Sequence, residues 1–319
     1  MLAIVVTLGG GERRLVEAQR PSPPAGPGQV VVAVKAFSLN HGEVGHALSE
    51  AEEGYAPGWD FAGVVEAAPE GSPITAGQRV VGLAPQGAWA EKVAVPLPLV
   101  AAIPDALGFE DAATLPVAGL TAAVALSKRP LAPGERLLVT AATGGVGSYA
   151  LQLGRAAGAR VTAFARDAAS RDYLLGLGAD EVAVGVEEAA ALAPYDVILE
   201  GVGGALLGHA LEWLGARGAC VLFGDAAGDE VTTFDARRFR LGGGGLFGGT
   251  TLYGLFLAEE LMRPGAATAS ERLGELARLM VAGQLASRIG RTAPWTEVDA
   301  VARALLARDF SGKAVLTLP

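Results

Sequence analysis

The chain has 319 residues, of which 51% are hydrophobic and 18% charged, and its net charge is −9. That length exceeds one comfortable core and implies two domains. An acidic balance without any basic run excludes nucleic acid and anionic membranes as partners. Cys220 is the only cysteine, which excludes an internal disulfide, and its apolar run at 218–223 reads as a buried strand. No basic segment followed by an apolar core opens the chain, and no apolar run approaches the ~18 residues of a membrane span, so the expected location is the cytoplasm.

Up to about residue 112 the texture is β-rich. Short apolar runs at 2–7, 29–37, 62–67, 79–83 and 88–95 are separated by Gly and Pro, as in an all-β domain. From about 113 to 250 strands alternate with helices. The strands fall at 136–142, 160–164, 182–184, 196–200, 219–223 and Leu246-Phe247, which implies a parallel, doubly wound sheet. Beyond residue 250, after the glycine run 242–245, helices are expected at 270–282 and 298–308. A final strand at 313–318 is expected to return to the first domain. The domains expected are therefore 1–112, 113–250 and a C-terminal segment, 251–319.

The informative stretch is 136–166. An apolar strand runs into Thr143-Gly144-Gly145-Val146-Gly147, a helical pattern follows, and Gly158 caps it before a second strand. Strand, glycine turn and helix in that order form a dinucleotide fingerprint. Residues without a Cβ let backbone approach a pyrophosphate, and the helix N-terminus offers free N–H groups and partial positive charge. Ala142 replaces the first glycine of the usual pattern. Where an NAD site carries a carboxylate at the end of the second strand, this chain has Arg166, with Arg171 one turn further on. A guanidinium binds a 2′-phosphate that a carboxylate would repel, so the residues favour NADPH.

Seven pieces occur in the order seen in the medium-chain dehydrogenase/reductase superfamily, which the chain resembles along nearly its whole length. They are Asn40 after a strand, 57–65 (PGWDFAGVV), 77–82 (GQRVVG), 87–91 (GAWAE), 115–122 (LPVAGLTA), the glycine turn and 310–313 (FSGK). Within that superfamily the chain is similar to the zinc-independent quinone oxidoreductase and enoyl reductase branch. The resemblance implies an α/β protein with a β-rich GroES-like N-terminal domain, a Rossmann domain with its doubly wound parallel sheet, and a cleft between domains. Zinc-dependent members carry Cys where Asn40 stands and His where Trp59 stands, and one cysteine cannot build a four-cysteine lobe. No metal is expected. Without a Lewis acid, quinones and α,β-unsaturated carbonyls are the natural hydride acceptors.

By the same resemblance, Asn40 and Thr121 lie near the nicotinamide, Val202, Phe223 and Gly224 supply backbone contacts, Phe247 lies beside the ring, and Lys313 sits close to the cofactor. Tyr55 and His41 are the side-chain candidates for the proton that completes a reduction, and solvent is the alternative. An enoyl thioester reductase is the second enzymatic reading, and a non-catalytic NADPH-binding protein is the reading from another class. A homodimer is expected through the edge strand Leu246-Phe247, because an apolar sheet edge is ordinarily covered.

Overall fold

In a computed structural model of the chain, residues 1–242 and 248–319 are described. Leu246 and Phe247, and with them the expected edge strand and ring-side phenyl, lie outside the described residues. Backbone contacts divide the chain into two units, Met1–Leu120 with Gly265–Pro319, and Thr121–Pro264. Residues 113–120, expected in the nucleotide domain, thus fall in the first unit, and 251–264, expected in the returning C-terminal segment, fall in the second, where the strand Thr251–Gly254 joins its sheet. Helix α2 (Phe109–Ala113) and the turn that follows it pack on strands of the first unit, and Asp60 accepts a bond from the Val117 N–H.

The first unit contributes β1 (Leu2–Gly9), β2 (Glu12–Gln19), β3 (Gln29–Leu39), β4 (Asp60–Ala67), β5 (Arg79–Leu83), β6 (Lys92–Pro96) and β7 (Val100–Ala102). The second contributes β8 (Arg136–Val139), β9 (Arg160–Ala165), β10 (Glu181–Val184), β11 (Tyr195–Glu200), β12 (Leu214–Leu222) and β13 (Thr251–Gly254). The first unit is completed by β14 (Ile289–Pro294) and β15 (Lys313–Thr317).

In the first unit a sheet of order β14-β15-β3-β4-β5-β7, with β6 also on β3, closes over Phe37, Phe61 and Trp89, all fully buried. The returning strand β15 pairs antiparallel with β3, as expected for the C-terminal segment. One strand escaped the sequence pattern. β2 reads Glu-Arg-Arg-Leu-Val-Glu-Ala-Gln and looks like a solvated charge run. It forms because Gly10 and Gly11, at φ 61° and 84°, make a two-residue turn that lays it on β1.

The second unit has the parallel order β10-β9-β8-β11-β12-β13, a doubly wound sheet whose strand order reverses between β8 and β11. Cys220 on β12 is fully buried, and burial pushes its thiol up. Three elements anticipated by periodicity appear at Gly145–Ala156, Ala269–Val281 and Val298–Ala307. No helix among the described residues is long and apolar enough to cross a membrane.

Candidate functional site

The nucleotide half is built at the carboxyl end of β8. Ala141 adopts φ 48° and reverses the chain, and Gly144 caps the helix Gly145–Ala156. The Gly144 N–H donates to the Ala141 carbonyl at 3.0 Å. Fit to a dinucleotide can be tested at Gly147. A Cβ there would lie 2.4 Å from the Ala141 carbonyl oxygen and 2.6 Å from Ala142 Cα, so only glycine lets the helix begin this close to the strand. The turn Thr143–Gly147 therefore presents bare backbone and the unpaired N–H groups of a first helical turn, which suits a pyrophosphate.

Sequence reasoning missed the pair that braces this edge. Glu200, fully buried at the end of β11, accepts bonds from Thr140 Oγ1 at 2.8 Å, the Val202 N–H at 3.0 Å and the Gly203 N–H at 2.8 Å. Thr140 in turn accepts from the Gly201 N–H at 2.9 Å. Burial raises the Glu200 carboxyl above the usual range, against the pull of these donors. The network holds Val202 in place. Gly201 lies under Phe223, and a Cβ on Gly224 would meet the Gly201 carbonyl oxygen at 3.0 Å. Val202, Phe223 and Gly224 are thus brought together at the carboxyl ends of β11 and β12, while Thr121 is buried at the start of helix α3 (Leu120–Lys128).

The two arginines differ. Arg171 donates to the Val182 carbonyl at 3.0 Å and pairs with Glu188 at 3.2 Å, so it is already engaged. Arg166 is exposed just beyond β9, and the neighbouring Asp167 turns its carboxylate back to the Ala169 N–H.

In the first unit, Asn40 and Lys313 meet inside a buried polar cluster. Asn40 caps helix α1 (His41–Ser49). Its Nδ2 donates to Glu43 Oε1 and Asp60 Oδ2, both at 2.9 Å, and its backbone N–H donates to Glu43 Oε1 at 2.9 Å. Lys313 Nζ donates to the Leu39 carbonyl at 2.9 Å, Asn40 Oδ1 at 2.5 Å and Asp60 Oδ2 at 3.1 Å. Ser38 Oγ donates to Asp60 Oδ2 at 2.6 Å, and the Trp59 N–H to Glu43 Oε2 at 2.9 Å. Glu43 and Asp60 were not singled out from sequence. The spacing Asn40-x-x-Glu43 was the available signal, since it is a helix-capping pattern.

Two carboxylates share one ammonium out of water. Burial, then the Asp60 charge, push the Glu43 carboxyl up to about 8, against the opposing pull of Lys313 and the Asn40 bonds. Tyr55 lies near enough for the Glu43 charge to act on it; burial first, and that charge second, raise its phenol. His41, on the same helix, is exposed. The folded chain holds the Glu43 proton more tightly than the unfolded chain, whose carboxyl titrates near 4.5. This contribution is full below that pH and is lost as pH rises through about 8. Thermal melts of wild type and Glu43→Gln should diverge across that window, with wild type losing more stability toward high pH; parallel curves would refute the assignment.

Comparison with known proteins identifies both units. Residues 26–105 match the alcohol dehydrogenase GroES-like domain, and 145–268 match the zinc-binding dehydrogenase domain. The quinone oxidoreductase from Thermus thermophilus, solved alone and with NADPH, is 33% identical, with 100% of both chains covered and a TM-score of 0.78. The CurK enoyl reductase is 25% identical, with 99% of each chain covered and a TM-score of 0.81. A mycocerosic acid synthase-like polyketide synthase of Mycobacterium tuberculosis is 31% identical over 93% of this chain, which spans only 14% of that protein. Two units of this kind, a GroES-like one and a Rossmann-type one, define an oxidoreductase of the dehydrogenase/reductase type. The chain belongs to the medium-chain dehydrogenase/reductase superfamily.

Proposed function

We propose that the protein is an NADPH-dependent reductase of quinones or α,β-unsaturated carbonyl compounds, working without a metal. The observation that carries this reading is the open helix N-terminus under the Gly144–Gly147 turn, at the reversal point of the sheet. The NADPH complex of the Thermus relative supports it. When bound, NADPH would supply the hydride. Thr143–Gly147 would hold its pyrophosphate, Arg166 its 2′-phosphate, and Val202, Phe223 and Gly224 the nicotinamide end. The metal-free reading draws support from Lys313, whose ammonium already meets the charge of the cluster around Asn40.

Absorbance at 340 nm with a panel of quinones, enones and a crotonyl thioester tests the proposal. Oxidation of NADPH by quinones or enones is the expected result. Turnover of the thioester alone would select the second reading, an enoyl thioester reductase, which the likeness to CurK favours. Tight NADPH binding with no acceptor reduced would make the chain a binding protein.

Solvent supplies the closing proton in this proposal, so Tyr55→Phe and His41→Gln each keep kcat within about threefold. A loss of ~100-fold in either, the usual cost of removing a general acid, would assign the proton to that side chain.

The protein also pairs with a second copy. Among the described residues β13 is the outer strand of its sheet and hydrogen-bonds only β12, and Leu252 and Phe256 are exposed there. Antiparallel pairing of two such edges would cover both. Light scattering should return twice the 32.2 kDa chain mass; a monomer at micromolar concentration would refute the pairing.

A further inference from the structure

Asn40 is the only asparagine in the chain, and its surroundings leave its amide one orientation. Nδ2 faces two carboxylate oxygens and Oδ1 faces an ammonium. Exchanging oxygen and nitrogen would set the carbonyl against the Asp60 carboxylate and the NH₂ group against the Lys313 ammonium, so both of those contacts would turn repulsive.

The hydrogen-bonding inventory of the cluster is then nearly spent. Both Nδ2 protons are used. Lys313 has three protons and three acceptors. Asp60 Oδ1 takes the Val117 N–H at 2.8 Å, and Oδ2 takes three donors. Glu43 takes three donors across its two oxygens. Ser38, Glu43, Asp60 and Lys313 are all buried, whereas Asn40 is only partly so. The lone pairs left on Asp60 Oδ1 and Glu43 Oε2 belong to buried residues, so the spare lone pair of Asn40 Oδ1 is the one carried by the partly exposed residue.

We propose that Glu43 is a positioning residue which, with Asp60 and Lys313, locks the Asn40 amide so that it offers only a hydrogen-bond acceptor. A ligand meeting Asn40 must therefore bring a donor, a hydroxyl or a carboxamide N–H, and gains nothing there from a carbonyl or phosphate oxygen. The identity of that ligand as a nicotinamide nucleotide rests on the function proposed above; the locking does not.

Labelling with [¹⁵N]asparagine gives a single side-chain amide in the NMR spectrum. In the full-length protein without nucleotide, two separate Hδ2 signals are expected, both protected from exchange with water. In Glu43→Ala the proton facing residue 43 should move upfield and exchange at least about tenfold faster as its bond to the Glu43 carboxyl is lost. A Glu43 that served only folding would lower Tm and leave these signals in place. Free-amide exchange in wild type, or unshifted signals in a folded Glu43→Ala, would overturn the proposal.

Should that variant not fold, wild type alone decides. The groups facing Glu43 are Asp60 from β4, Lys313 from β15, Asn40 and Tyr55. The Hδ2 signal must shift as pH crosses about 8, and an invariant signal overturns the proposal. Added NADPH should leave both Hδ2 protons protected; recruitment of either by the nucleotide would overturn the acceptor role. Locked signals with no NADPH binding would instead sink only the cofactor reading.

Discussion

Lys313→Met is expected to lower the unfolding free energy by about 3–5 kcal/mol at neutral pH, the usual cost of removing one partner from a buried ion pair. Lys313 is 4% exposed and Asp60 0%. Without the ammonium, Asp60 keeps its charge out of water beside Glu43, and the Leu39 carbonyl and Asn40 Oδ1 lose their donor. Urea denaturation measures the loss directly. Adding Asp60→Asn should recover part of it, because no unpaired charge at residue 60 is then buried. A single-variant loss below ~1 kcal/mol, the range of an exposed pair, would show that the cluster is wetter than its geometry implies.

Arg166→Ala is expected to raise the Kd for NADPH by about tenfold or more, the equivalent of one charge-assisted hydrogen bond, while the Kd for NADH stays where it was. The two nucleotides differ only at the 2′-phosphate, so their ratio isolates that group from general damage to the site. Added salt should weaken NADPH binding to wild type and have little further effect on the variant, since an exposed charge pair is screened. Arg171→Ala should do less, because its guanidinium is already bound to the Val182 carbonyl and Glu188. Fluorescence titration of both nucleotides reads all of these values. Equal losses for NADPH and NADH, or none, would remove the arginine from the 2′-phosphate.

The nucleotide half was legible because its signals are local. A strand, a glycine turn and a helix lie within about thirty residues, and the backbone at Ala141 and Gly147 realises the close approach that the glycines imply. Glu200 was not legible there: a carboxylate ending an apolar strand looks like the start of a loop. Only the alignment of β8 with β11 shows that it anchors the Val202 and Gly203 amides. The strand Glu12–Gln19 was not among those expected, because a hairpin turn outweighs its charged composition.

The chain by itself determined the two-part architecture and the nucleotide turn, since periodicity and glycine placement act over short spans, while Asn40 and Lys313 were candidates only through the resemblance to the superfamily. Tertiary structure decided what those two residues do. Lys313 and Asp60 are 253 positions apart, and they meet only because antiparallel pairing sets β15 against β3 and β3 against β4, with Ser38 opposite Asp60. Strand register over such distances is chosen by the packing of the whole sheet, so the buried charges that orient Asn40 come into being only when the fold closes.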